Sequence, residues 1–118
     1  MKVLIADDTD SVRYALRLAL EYLGHEVIGF AIDGNEVIQK NETMHPDVIM
    51  MDVRMPRMDG LTCTSLLSKK SPPAKIVIVT GSRTTESEAR DAGALGFLEK
   101  PFDVSDLDRA IHVACATA

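Results

Sequence analysis

Five short apolar runs alternate along this chain with five segments that read as helices, the fourth of them polar. Lys2 to Ala6, with Val3, Leu4 and Ile5 at its heart, reads as a strand and is stopped by Asp7-Asp8-Thr9-Asp10. From Ser11, Val12, Leu16, Leu20 and Leu23 fall on one stripe while Arg13, Arg17 and Glu21 lie off it, which predicts a helix capped by Thr9 or Asp10 and ended by Gly24. Glu26 to Phe30 is the second predicted strand. Asp33-Gly34 turns into a helix with Val37 and Ile38 inward, expected to end near Asn41, and His45-Pro46 breaks the chain. Val48-Ile49-Met50-Met51-Asp52 is apolar enough to be a strand covered on both faces, closed by a single carboxylate. Gly60 opens a third helix, with Leu61, Ser65 and Leu66 expected to pack inward, and Ser71-Pro72-Pro73 stops it. Lys75 to Val79 is the fourth strand, running into Thr80-Gly81. A polar helix follows from about Thr84 to Ala92 and closes at Gly93. Leu95 to Leu98 is the fifth strand, followed by Glu99-Lys100-Pro101-Phe102. The last helix begins near Asp103 or Ser105 and carries Leu107, Ile111 and Ala114 on one face.

Strands alternating with helices imply an α/β fold with a parallel sheet, helices on both faces and right-handed crossovers. In such sheets ligands bind at the carboxyl ends of strands, where the strand order reverses. The residues expected there are Asp7 and Asp8 after the first strand, Asp52 after the third, Thr80 after the fourth and Lys100 after the fifth.

Composition narrows the reading. With 118 residues the chain, residues 1–118, reads as one domain able to bury its own core. A formal net charge of −5 argues against a nucleic-acid surface. Cys63 and Cys115 form no CxxC pair, and with no early leader pattern and no apolar run of membrane-spanning length a reduced, cytoplasmic chain away from the membrane is expected.

Three carboxylates at one rim need an opposing charge, because two of them about 4 Å apart repel by roughly 4 kcal/mol at an effective dielectric near 20. Oxygen-only ligands favour Mg²⁺ or another hard divalent ion such as Mn²⁺. Asp8 and Asp52 can each give one oxygen, a backbone carbonyl just past Asp52 (Arg54 is the candidate) can give another, and Asp7 would act from outside, through water. Lys100 adds a compact positive charge and Thr80 a hydroxyl. The Asp52 carboxylate can then attack phosphorus and form an acyl phosphate.

The set Asp7-Asp8, Asp52, Thr80 and Lys100-Pro101-Phe102, with the loop Asp52-Val53-Arg54-Met55-Pro56-Arg57-Met58-Asp59-Gly60, resembles the receiver domain of two-component response regulators across essentially the whole chain. That resemblance implies a flavodoxin-like (βα)5 fold with strand order 2-1-3-4-5. It implies Mg²⁺-dependent phosphotransfer to Asp52 from a histidine kinase or a histidine phosphotransfer protein. Thr80 would be the switch hydroxyl, Phe97 the aromatic that follows it, and the Lys100-Pro101 bond would be cis. Arg54 and Ser82 occupy the positions that tune acyl-phosphate lifetime in that family, and Gly81 stands where a small residue allows close approach to the phosphoryl group. The family signals through the face made by the fourth helix, fifth strand and fifth helix, here about residues 84–116. A downstream effector, a fused output domain or a phosphorylation-dependent homodimer would dock there.

Each residue alone has a plainer reading: Asp7-Asp8 as a helix cap, Thr80 as a turn hydroxyl, Phe97 as core, Lys100-Pro101 as a strand stop. Their conjunction at four strand ends carries the reading. A haloacid-dehalogenase-type phosphatase, with Asp8 as nucleophile and Asp10 as general acid in Asp8-Thr9-Asp10-Ser11-Val12, is the enzymatic rival. It leaves Asp52 and its loop unused. The other rival is a protein-binding module with the same fold that takes no phosphoryl group. The favoured expectation is a phosphoacceptor switch, not a turnover enzyme.

Overall fold

The computed structural model describes residues 1–81 and 83–116. In order the elements are β1 (Lys2–Ala6), α1 (Asp10–Tyr22), β2 (Glu26–Ala31), α2 (Gly34–Met44), β3 (Val48–Asp52), α3 (Gly60–Ser68), β4 (Ile76–Thr80), α4 (Glu86–Ala92), β5 (Gly96–Glu99) and α5 (Val104–Ala116). The strands form one parallel sheet in the order β2-β1-β3-β4-β5. This is the flavodoxin-like arrangement expected from the sequence.

The three inner strands are the near-continuous apolar runs, as a parallel sheet covered on both faces requires. Side chains alternate across them. Leu4, Ile49, Met51, Ile76 and Ile78 pack on one side with Val37 of α2, Cys63 and Leu67 of α3 and Ala89 of α4. Val3, Ile5, Met50, Val77 and Val79 pack on the other with Leu16 and Leu20 of α1 and Leu107, Ile111 and Ala114 of α5. β2 and β5 are the edges, and β2 is correspondingly half-exposed along most of its length.

Local departures from the expected pattern have identifiable causes. α2 runs to Met44, past Asn41, and ends where His45 takes up a left-handed conformation (φ 50°) with its N–H on Asn41 C=O, just ahead of Pro46. The inward face of α3 is Gly60, Cys63, Thr64 and Leu67, whereas Leu66 is 45% exposed and Leu61 and Ser65 are only partly covered. Hydrophobicity alone gave the wrong helical phase. The buried Thr64 hydroxyl donates to Gly60 C=O at 2.7 Å and so can lie in the core. Thr9 is the α1 cap by position but makes no side-chain cap bond. α4 is short, with only Ala89 fully buried, and is held at its start by a reciprocal capping box between Thr85 and Glu88. Among the described residues no helix is long and apolar enough to cross a membrane.

Candidate functional site

The chain leaves β1 toward β2 on one side and returns to β3 on the other, so the order reverses between β1 and β3. Asp7 and Asp8 follow β1 directly and Asp52 ends β3, so both arms of the reversal deliver carboxylates to one place. One oxygen from each of Asp7, Asp8 and Asp52 lies within 4.8 Å of the others.

The three acids differ in surroundings. Asp7 is buried; its Oδ1 accepts the Thr9 N–H at 2.9 Å and its Oδ2 lies 3.4 Å from Lys100 Nζ. Asp8 is exposed. Asp52 is intermediate, with Oδ1 accepting its neighbour's N–H from Val53 at 2.9 Å and standing 3.9 Å from Lys100 Nζ. Burial, and next the Asp7 charge, push the Asp52 carboxyl up to about 6; Lys100 and the Val53 N–H act against that, and Asp8 adds to it. The crowded all-oxygen donor set fits a hard divalent cation.

A cleft of about 460 Å³ opens over Asp52, lined by Arg54, Gly81, Arg83 and Lys100. A second hollow is lined by Asp8, Val53, Arg54, Met55, Pro56, Asp59 and Leu61. Residues of the loop from Val53 to Asp59 therefore line both hollows, Arg54 beside Asp52 in one and five of them beside Asp8 in the other. Its far end is fixed by Gly60: the Gly60 N–H donates to Val53 C=O at 2.8 Å, and a Cβ at Gly60 would stand 2.0 Å from the Asp52 carbonyl oxygen. Asp59 caps α3 by accepting the Thr62 N–H at 2.8 Å.

The middle of the loop is unusual. Met58 N–H donates to Pro56 C=O two residues back, at 2.7 Å, closing a three-residue turn centred on Arg57 at φ 66°. A positive φ at the centre of such a turn is rare and costs a non-glycine residue about 1 kcal/mol or more. The Arg57 side chain reaches Asp33, with Nε at 2.7 Å and Nη2 at 2.6 Å from Oδ2. Asp33 is buried and also caps α2, accepting the Glu36 N–H at 2.8 Å; that bond, and then the Arg57 guanidinium, hold its carboxyl below the usual range despite burial. Gly34 N–H donates to Met58 C=O at 3.1 Å, and Met58 lies where a Cβ at Gly34 would need to be, 2.6 Å from Cγ.

Thr80 is buried at the end of β4, and its carbonyl accepts the Lys100 N–H at 2.9 Å. Gly81, the residue after Thr80, lines the Asp52 cleft. Among the described residues a Cβ at Gly81 would meet the Lys100 side chain, at 3.7 Å, an ordinary contact that does not demand glycine there. Phe97 is half-buried against the core layer of α2, α3 and α4 and lines a groove with Glu86, Arg90, Pro101 and Arg109. The Lys100-Pro101 bond is cis, as is Ser71-Pro72. Ser82 lies outside the described residues. Asp10, the general acid of the phosphatase reading, has a side chain 95% exposed and pairs with Arg13, outside the carboxylate cluster.

Sequence reasoning thus brought together Asp7, Asp8, Asp52, Arg54 and Lys100. It missed Asp33 and Arg57, read only as a turn and part of a motif, and Arg83, three residues past the fourth strand on the same rim. The available signals were a helix-capping Asp before Gly34 and a bulky cation in a Pro- and Gly-punctuated loop.

The model of the response regulator receiver domain family matches residues 3–112. The transcriptional regulatory protein PdtaR of Mycobacterium tuberculosis is 41% identical over 114 residues, covering 96% of this chain and 56% of that protein. The chain therefore spans just over half of PdtaR's length. The chemotaxis protein CheY of Thermotoga maritima is 35% identical over 113 residues, covering 94% of each chain. A solved CheX–CheY–BeF3–Mg²⁺ complex from Borrelia burgdorferi holds a chain that superposes with a TM-score of 0.87 at 26% identity, covering 94% of this chain and 86% of that one.

Proposed function

The chain belongs to the response regulator receiver domain family of two-component signalling, and from that premise we propose that it is a phosphoacceptor switch whose acceptor is Asp52. The observation that carries this is the placement of the Asp52 carboxylate. It ends the central strand, faces an open cleft, and stands within 4 Å of one cation and within 4.8 Å of two other acids.

An Asp52 oxygen attacks the phosphorus of a phosphohistidine on a sensor kinase or phosphotransfer protein. The new O–P bond forms as the N–P bond breaks, and its electron pair returns to the imidazole of the donor. Lys100 pairs with a phosphoryl oxygen and offsets the charge that gathers there. Thr80 lies one residue from the cleft and donates its hydroxyl to another oxygen after a small shift. Asp8, Asp52 and the Arg54 carbonyl hold Mg²⁺ or Mn²⁺, with Asp7 behind them as a buried acid fixed by Thr9 and Lys100. When bound, that ion supplies the charge neutralisation that lets an anionic nucleophile meet an anionic phosphoryl group. The Borrelia CheY complex with BeF3 and Mg²⁺ supports this assignment by analogy.

Movement of Thr80 toward the phosphoryl group frees space that Phe97 follows, changing the groove between α4, β5 and α5 where an effector, an output domain or a second copy docks. The domain promotes its own phosphorylation and dephosphorylation and is not a turnover enzyme. A cytoplasmic location follows from this role. The test is Mg²⁺-dependent labelling by phosphoramidate, which Asp52→Asn must abolish; label that survives this substitution would overturn the assignment.

A further inference from the structure

We propose that Asp33 and Arg57 act as a positioning pair that holds the loop from Val53 to Asp59 in its cation-binding conformation. This rests on the reading of Asp8, Asp52 and the Arg54 carbonyl as the cation's ligands. Three independent observations point to it. Arg57 sits at φ 66° in a three-residue turn, a conformation that glycine would adopt without strain, yet the position carries a long cationic side chain. That side chain makes a two-pronged contact, at 2.6 and 2.7 Å, with a carboxylate whose own exposure is 5%. The same segment is bound a second time, by Gly34 N–H on Met58 C=O and by Met58 packed into the space that a side chain at Gly34 would take.

Strain persists only where the surroundings over-determine it, and it gathers where geometry matters for function. Here the surroundings are the start of α2, an element that contributes no residue to the acidic cluster. What the pair can fix is the segment two residues upstream of Pro56. Arg54 borders both hollows beside the cluster, one with Asp52 and one with Asp8. Gly60 fixes one end of the loop through its backbone approach to Asp52 and Val53. Asp33 and Arg57 fix its middle. Between these anchors the Arg54 carbonyl has little freedom, as a ligand that must meet the narrow octahedral demands of Mg²⁺ requires.

Substitution separates this role from a merely structural one. Arg57→Gly removes the side-chain anchor and relieves the backbone but leaves the buried Asp33 carboxylate without its counter-charge, so the metal-free protein should melt below the wild-type temperature yet remain folded at the temperature of titration. Its Mg²⁺ dissociation constant, measured by isothermal titration calorimetry, should rise about three- to tenfold, toward the range seen when outer partners of metal ligands are removed. Arg57→Lys, which restores one contact to Asp33, should recover part of that loss. Asp33→Asn keeps an oxygen for the Glu36 N–H but loses the ion pair, and combined with Arg57→Gly it should add nothing further to the loss, because both changes remove one interaction. Wild-type Mg²⁺ affinity in Arg57→Gly, or losses that add in the double variant, would overturn the positioning role. Failure of the wild-type chain to bind Mg²⁺ at all would instead remove the cation site itself, and the pair's role with it.

Discussion

Lys100 Nζ stands 3.4 Å from Asp7 Oδ2, closer than the 3.9 Å that separates it from Asp52 Oδ1. The Lys100 ammonium is therefore shared between the buried acid Asp7 and Asp52, the proposed acceptor. Removing it leaves Asp7, 2% exposed at its side chain, without its counter-charge. Lys100→Ala should lower the melting temperature of the metal-free protein and slow Mg²⁺-dependent labelling by phosphoramidate about 10²-fold, the scale of losing one preorganised donor. A labelling rate within twofold of wild type would show that Lys100 only balances Asp7.

The pH dependence of stability follows from Asp52. Its carboxyl titrates near 6 in the fold, against 3.8 for the unfolded chain, because burial and then Asp7 disfavour the anion. Between these values the native state holds the extra proton, so the stabilising contribution is full below about pH 4 and is lost as the pH rises through 6. With the side chain 13% exposed, the two-unit span corresponds to at most about 3 kcal/mol. Asp33 has the opposite sign: its lowered value supplies stability above the normal carboxyl range, lost only as the pH falls below it. Urea unfolding in chelator from pH 4.5 to 7.5 should therefore show stability declining with pH in wild type and a flatter profile in Asp52→Asn. Parallel profiles would contradict the assignment of that proton to Asp52.

Repulsion among Asp7, Asp8 and Asp52 has a second consequence. Asp8 is the exposed member and can be neutralised without opening the core. In metal-free buffer Asp8→Asn should raise the melting temperature by about 2–5 °C, while the stabilisation that wild type gains from added Mg²⁺ should shrink. A lower melting temperature would show that the cluster is not strained by its own charge.

Gly60 is constrained by approach and not by φ. A Cβ there would stand 2.0 Å from the Asp52 carbonyl oxygen and 3.0 Å from Met51 Cγ, and the first of these is backbone that cannot rotate away. Gly60→Ala should cost about 2–3 kcal/mol by urea unfolding and slow labelling of Asp52. A cost below 0.5 kcal/mol would mean that α3 can shift freely relative to β3.

How much of this could be read from the chain depends on which physics set each feature. The strand cores Val3-Leu4-Ile5, Ile49-Met50-Met51 and Ile76 to Val79 are buried on both faces, and a continuous apolar run states that directly. Asp7, Asp8, Asp52 and Lys100 were legible because strand ends are where such a sheet offers a site. The inward phase of α3 was not, since Leu66 is more apolar than Thr64 and only the closeness of Gly60 to Asp52 decides which of them turns inward. The Asp33–Arg57 pair was invisible for a related reason: it joins residues 24 apart in sequence through a turn whose backbone conformation no local preference for Arg would predict.

Asp52 is the proposed site of the phosphoryl group, and borohydride trapping reads out that site. Wild-type protein labelled by phosphoramidate with Mg²⁺ is reduced, which converts an aspartyl phosphate to homoserine, and digested for mass spectrometry. The expected result is homoserine at position 52, none at position 8, and none at either without Mg²⁺. Homoserine at position 8, or its absence from position 52 after full labelling, would contradict it.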